Sequence, residues 1–113
     1  MTPVDSGSSW IFVIEEQRVQ DGTVTPVFPK GRQVLLIRQS GQLHALSGTC
    51  AHMGCSMAEG NLNGHTLRCP CHDWTYDIRT GEFKDAREIR IPIYPWRVED
   101  GKIYINIDEG GRP

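Results

Sequence analysis

The sequence predicts an all-β domain built from antiparallel strands. Short runs of apolar and β-branched residues recur along the chain, and dipeptides that favour tight turns separate them. No long segment repeats its apolar residues with helical spacing. At 113 residues the chain has the size of one domain, and a domain of this size buries a core without needing several disulfides.

Five runs are predicted to form strands. They span residues 10–14, 34–37, 43–46, 91–98 and 103–107. The fourth run contains Pro92 and Pro95, and a proline has no N–H to donate within a sheet. We therefore expect this segment to be an edge strand or a bent strand.

Three dipeptides are predicted to form the tight turns of antiparallel hairpins. Asp, Asn and Gly tolerate the positive φ angles that such turns require. The three dipeptides are Asp21-Gly22, Asn63-Gly64 and Asp100-Gly101. Residues 1–9 and 108–113 are polar and carry little to bury. The expected organisation is therefore one domain over residues 10–107, between an N-terminal and a C-terminal tail.

Composition limits the classes of partner. The chain has 12 basic and 14 acidic residues, and no basic stripe that would neutralise a phosphate backbone. No apolar run approaches membrane-spanning length, and the start has no basic region followed by an apolar core. We expect a cytoplasmic monomer that binds no nucleic acid and has no membrane span.

All four cysteines lie in two short clusters. The clusters read Thr49-Cys50-Ala51-His52-Met53-Gly54-Cys55 and Arg68-Cys69-Pro70-Cys71-His72-Asp73. A Cys-x-His pair and a Cys-x-x-His pair thus stand sixteen residues apart, which predicts two loops that each offer one thiolate and one imidazole. Such loops can clasp a metal from both sides. A structural zinc site is one alternative, although zinc sites usually pair like ligands, and unligated core residues are a weaker one.

The two pairs and their separation resemble the signature of the Rieske iron–sulfur family. The resemblance implies one [2Fe-2S] cluster, with Cys50 and Cys69 on one iron and His52 and His72 on the other. It also implies a small antiparallel β-sandwich with a cluster-binding subdomain of two loops, at about residues 48–86.

The remaining two cysteines match positions where some Rieske proteins have a disulfide that joins the loops. The resemblance therefore implies a bridge between Cys55 and Cys71 in the oxidised protein. Two buried thiols are the alternative in a reducing compartment. Ferredoxins of ring-hydroxylating oxygenases generally lack this pair, whereas quinol-oxidising members have it.

Two residues after the second cluster bear on the reduction potential. Trp74 stands where high-potential family members have a serine, and loss of that hydroxyl predicts a lower potential. Packing beneath the cluster is the expected role of Trp74. Tyr76 matches the family's tyrosine and is predicted to donate to a cysteine sulfur. His44 and His65 have no cysteine nearby in sequence and are expected to serve surface or packing roles.

The resemblance implies one-electron transfer, and the sequence has no nucleophile elbow or phosphate loop that would suggest catalysis. We expect a ferredoxin that carries electrons from a reductase to a terminal oxidoreductase or oxygenase, docking through the surface around His52 and His72. One alternative is a Rieske subunit of a larger oxidase or quinol-oxidising complex, favoured by Cys55 and Cys71. The other is a structural zinc-binding β module.

Overall fold

The computed structural model describes residues 10–50, 55–71 and 73–107. Within these ranges eleven strands form three sheets, and all neighbouring strands of each sheet pair antiparallel. The helical segments found there are two 3₁₀ turns, Glu16–Arg18 and Pro29–Gly31. The predicted all-β antiparallel class is confirmed.

The sheets divide the strands by position along the chain. The first sheet contains β1 (Trp10–Glu15), β11 (Lys102–Asn106) and β10 (Trp96–Glu99), in that order. The second contains β2 (Thr23–Val27), β3 (Val34–Gln39) and β4 (Gln42–Ser47). The third contains β5 (Asn61–Asn63), β6 (Thr66–Arg68), β7 (Thr75–Asp77), β8 (Glu82–Phe83) and β9 (Ala86–Arg90).

The second sheet lies between two hydrophobic cores. Four consecutive residues of β3, Val34 to Ile37, have no solvent exposure. Val34 and Leu36 pack in a core with Ile103 and Ile105 of the first sheet, whereas Leu35 and Ile37 pack in a core with side chains of the third sheet. A strand buried on both faces reads as a continuous apolar run, which explains why this segment shows no polar alternation.

Two of the three predicted hairpin turns are present. Asn63 and Gly64 lie at the turn between β5 and β6, and Asp100 and Gly101 join β10 to β11 with φ angles of 55° and 75° at the latter pair. Positive φ at both central residues is the geometry that suits a two-residue hairpin.

The hairpin predicted at Asp21-Gly22 is wrong, because β1 and β2 belong to different sheets and β1 pairs with β11. The Asp21 carboxylate instead accepts a hydrogen bond from the Gly41 N–H at 2.8 Å. Gly41 lies in the turn between β3 and β4, a hairpin that the turn dipeptides did not indicate. This hydrogen bond thus connects the segment before β2 to the turn between β3 and β4.

The proline-containing run is bent, as expected. Only Trp96–Glu99 forms a regular strand, and it lies at the edge of its sheet. The preceding residues cross from the third sheet to the first, and on the way Ile93 makes an isolated bridge to Leu46 of the second sheet. In the part of the chain that the structure describes, no helix is long and apolar enough to cross a membrane.

Candidate metal centre

The first cysteine-containing loop is closed at its base by backbone hydrogen bonds. Thr49 pairs with Ser56 in an isolated bridge, and the Cys50 N–H donates to the Cys55 carbonyl at 2.8 Å. The Met57 N–H donates to the Gly48 carbonyl at 2.7 Å. The loop therefore leaves and re-enters the domain like a hairpin, with Cys50 at its base.

The second loop repeats this arrangement between β6 and β7. The Cys69 N–H donates to the Trp74 carbonyl at 2.7 Å, and the Asp73 N–H donates to the Cys69 carbonyl at 3.0 Å. Asp73 has a φ of 61°, which turns the chain back toward β7. Cys69 thus occupies the same position in its loop as Cys50 does in the first.

Both basal cysteines are buried. Cys50 is 3% exposed and Cys69 is fully buried, and neither belongs to a disulfide. Thiolates are costly to bury without a cation, and soft thiolate ligands suit iron–sulfur clusters. The burial and chemistry of this pair fit the thiolate side of a metal centre.

A disulfide joins the two loops. It links Cys55 to Cys71, whose Cα atoms lie 6.6 Å apart, a separation that a disulfide spans. The Cys69 Sγ lies within 4.8 Å of both bridged sulfur atoms. Cys71 is exposed and Cys55 is partly buried. The bridge therefore holds the loops together directly beside a buried cysteine.

An aromatic group supports the site from below. The fully buried Tyr76 of β7 places its hydroxyl 3.3 Å from the Cys50 Sγ. Since a metal-bound thiolate has no proton, the hydroxyl is the donor in that state. Trp74 stacks on Phe83 with ring centroids 4.0 Å apart and planes within 7°.

The two predicted imidazole ligands, His52 and His72, lie outside the described residues. The structure therefore places the basal cysteines and Tyr76 in one hydrophobic core and gives no geometry for the imidazoles. Met57 and Phe83 also pack in the same core as Cys50 and Cys69. Sequence reasoning missed both, because their apolar character alone does not separate them from other core residues.

The other two histidines form a separate pair. The rings of His44 and His65 meet edge to face with centroids 6.1 Å apart. Burial of His44 lowers its pKa, and the nearby His65 lowers it further. The Nε2 of His44 is buried and has no hydrogen-bond partner among the residues described.

Comparison with known proteins decides the family. Residues 9–95 match the model of the Rieske [2Fe-2S] domain. The chain belongs to the Rieske [2Fe-2S] domain family. It carries one Rieske-type cluster and is an electron carrier. The alternative of a structural zinc module is therefore not supported.

Similar Rieske proteins include carriers of several oxygenase systems. The ferredoxin component of the naphthalene 1,2-dioxygenase system of Pseudomonas putida is 27% identical over 99 residues, which cover 87% of this chain and 95% of the relative. That of the alkene monooxygenase system of Xanthobacter autotrophicus is 31% identical over 84 residues, 73% of this chain and 69% of the relative.

A solved Rieske structure gives the same result for the fold. It is the complex of reduced oxygenase and oxidized ferredoxin in carbazole 1,9a-dioxygenase. The matching chain is 26% identical, with a TM-score of 0.79 over 88% of this chain and 94% of that chain.

Proposed function

We propose that this chain is the ferredoxin component of a multicomponent oxygenase system. It accepts one electron from a reductase and passes it to a terminal oxygenase. The observation that carries this proposal is the match to a ferredoxin component over 95% of that relative's length. The match to a chain of a ferredoxin–oxygenase complex supports the same kind of acceptor.

We propose Cys50 and Cys69 as ligands of the inner iron and His52 and His72 as ligands of the outer iron. When bound, the cluster gains and loses one electron, and its neutral imidazole ligands place its potential above that of a four-cysteine cluster. The support for the thiolate pair is its burial at the bases of two neighbouring loops. The support for the imidazole pair is the Cys-x-His and Cys-x-x-His pattern alone.

The protein residues around this site have distinct tasks. With the cluster bound, the Tyr76 hydroxyl would donate a hydrogen bond to the Cys50 sulfur and would stabilise the added negative charge of the reduced state. The Cys55–Cys71 bridge fixes the separation of the loops. The stacked rings of Trp74 and Phe83 pack in the same core as Cys50 and Cys69 and would shield these ligands from water.

A second candidate is a Rieske subunit held permanently in a larger redox complex. The disulfide between the loops favours this subunit, because a protein in a reducing compartment rarely retains an exposed disulfide. A carrier must share a compartment with its donor and acceptor. For the ferredoxin we propose that this compartment is the cytoplasm. Stable co-purification with a partner would support the subunit, whereas isolation of the carrier alone from cell extract supports the ferredoxin.

The test begins with anaerobic purification, a visible spectrum and electron paramagnetic resonance after reduction with dithionite. We expect a coloured protein with a rhombic signal, and reduction by a ferredoxin reductase followed by oxidation on adding an oxygenase of the naphthalene type. A colourless protein with stoichiometric zinc would contradict the cluster. A normal signal with no reductase- or oxygenase-dependent change would contradict the shuttle.

Replacing His72 with Ala tests the ligand set. We expect loss of the mixed-ligand signal, because one iron loses an imidazole. His65→Ala is the matched control, since it removes a histidine of the neighbouring β5–β6 turn. A variant at His72 that keeps the normal signal would refute the assignment.

A further inference from the structure

The outer face of the third sheet presents a polar surface next to the second loop. Its strand register places Asn61, Arg68 and Thr75 in one row across β5, β6 and β7. Leu67, which precedes Arg68 in β6, is fully buried on the other face of the sheet, whereas Arg68 is exposed. Arg68 directly precedes Cys69, so this face adjoins the proposed cluster ligands.

A concavity of 230 Å³ lies on this face, and we call it the Arg68 pocket. It is lined by Asn61, Asn63, Thr66, Arg68 and Thr75. The lining supplies one guanidinium, two amides and two hydroxyls, and none of these five residues is acidic. Every lining side chain is therefore able to donate a hydrogen bond.

Two cationic side chains, those of Arg68 and Lys84, lie at the Arg68 pocket. Arg68 makes no ion pair with any residue in the described part of the chain. The Lys84 ammonium reaches the rim, where it donates to the Thr66 hydroxyl at 2.8 Å. The guanidinium of Arg79 donates two hydrogen bonds to the neighbouring Asp77 carboxylate, both at 3.0 Å. This carboxylate is thereby neutralised locally and does not compensate Arg68.

This local charge contrasts with the whole chain, whose net charge is −2. A guanidinium fork matches the two oxygens of a carboxylate, and such charge-assisted pairs are stronger than neutral hydrogen bonds. Amides and hydroxyls beside the fork can donate to the remaining lone pairs of the same group. The chemistry of the pocket thus suits an Asp or Glu side chain.

We propose that the Arg68 pocket receives an acidic side chain of the terminal oxygenase to which the cluster passes its electron. The inference rests on the proposed carrier function and adds the residue class that a partner presents. Arg68 is a positioning residue, since it would anchor the partner one residue away from the buried Cys69 ligand. Complementary charge at such a contact raises the rate of association and fixes orientation.

The test uses the oxidised holoprotein and a fluorescein-labelled peptide of eight glutamates, followed by fluorescence anisotropy at low salt. We expect saturable binding that Arg68→Gln weakens about tenfold, the loss expected for one charge-assisted pair. Arg87→Gln is the matched control, because Arg87 is an exposed arginine on β9 and its replacement removes the same charge. Binding to this control should equal that of the wild type.

Three results of the binding measurement would overturn the proposal. They are absence of binding to the wild type, equal losses in both arginine variants, and displacement of the peptide by micromolar phosphate, which would indicate a small-anion site. Electron transfer to an oxygenase is measured separately. If it proceeds unchanged in Arg68→Gln, the docking proposal fails and the carrier stands. If the wild type passes no electron, the carrier proposal fails even when the peptide binds.

Discussion

The Tyr76 hydroxyl lies 3.3 Å from the Cys50 sulfur, in a place where neither side chain is open to solvent. A hydrogen bond to a ligand sulfur stabilises the reduced form more than the oxidised form, because reduction adds negative charge. Through this contact the β7 strand directly affects the electronic properties of the cluster.

Replacing Tyr76 with Phe is therefore expected to lower the reduction potential. One hydrogen bond contributes about 0.5–1.5 kcal/mol, which for one electron corresponds to roughly 20–60 mV. Protein-film voltammetry measures the shift. Tyr104→Phe is the control, because Tyr104 lies on β11 and contacts Phe12 instead. Equal potentials for wild type and Tyr76→Phe would show that the contact does not tune the cluster.

Removing the disulfide should destabilise the protein without cluster more than the protein with cluster. The bridge spans 16 residues, and closing a loop of this size restricts the unfolded chain by about 3 kcal/mol. A bound cluster also ties the two loops, so part of that effect is already present in the holoprotein. Urea unfolding of Cys55→Ser/Cys71→Ser in both forms measures the difference. An equal loss in both forms would contradict this account.

Leu35 and Leu36 allow the two cores to be tested separately. Replacement of either leucine by Ala removes a fully buried side chain and should cost about 2–5 kcal/mol of unfolding free energy. Leu35 packs in the core that contains Cys50 and Cys69, whereas Leu36 packs in the other core. We expect the Leu35 variant to broaden or shift the paramagnetic resonance signal and the Leu36 variant to leave it unchanged. A change in both would mean that the cores are mechanically coupled.

His44 should make stability fall on acidification. Burial lowers its folded-state pKa below the value of about 6.5 for the unfolded chain, with His65 and Arg79 acting in the same direction and Asp77 against them. The unfolded chain therefore binds a proton first, and the contribution is present above about pH 6.5 and lost as pH falls through the lowered pKa. Unfolding of His44→Gln and wild type between pH 8 and pH 5 should show a shallower slope for the variant.

The sequence was sufficient for the parts of the fold that have a local signal. The apolar run from Val34 to Ile37 predicted a strand, and Pro92 and Pro95 marked the bend before β10. The short strands of the third sheet have two to five residues each. Their apolar positions are too few to define a period, so their pairing follows from tertiary packing.

The turn prediction failed at Asp21-Gly22 for a comparable reason. A positive-φ dipeptide marks a tight bend, yet it does not specify which strands flank it, and Gly22 has a φ of 79° without joining a hairpin. The cysteine pattern was more informative, because ligand identity and spacing carry the chemistry. The contact between Tyr76 and Cys50 depends on how residues distant in sequence are placed by the fold. It was predicted only because Tyr76 matches the tyrosine of the Rieske family.

The double burial of β3 also limits which sequences can occupy it. In a strand with one wet face, every second position accepts polar replacement, whereas all four positions from Val34 to Ile37 are closed to water here. Any added methylene meets packed neighbours on one side or the other. Substitutions in this segment must therefore conserve side-chain volume at each of the four positions.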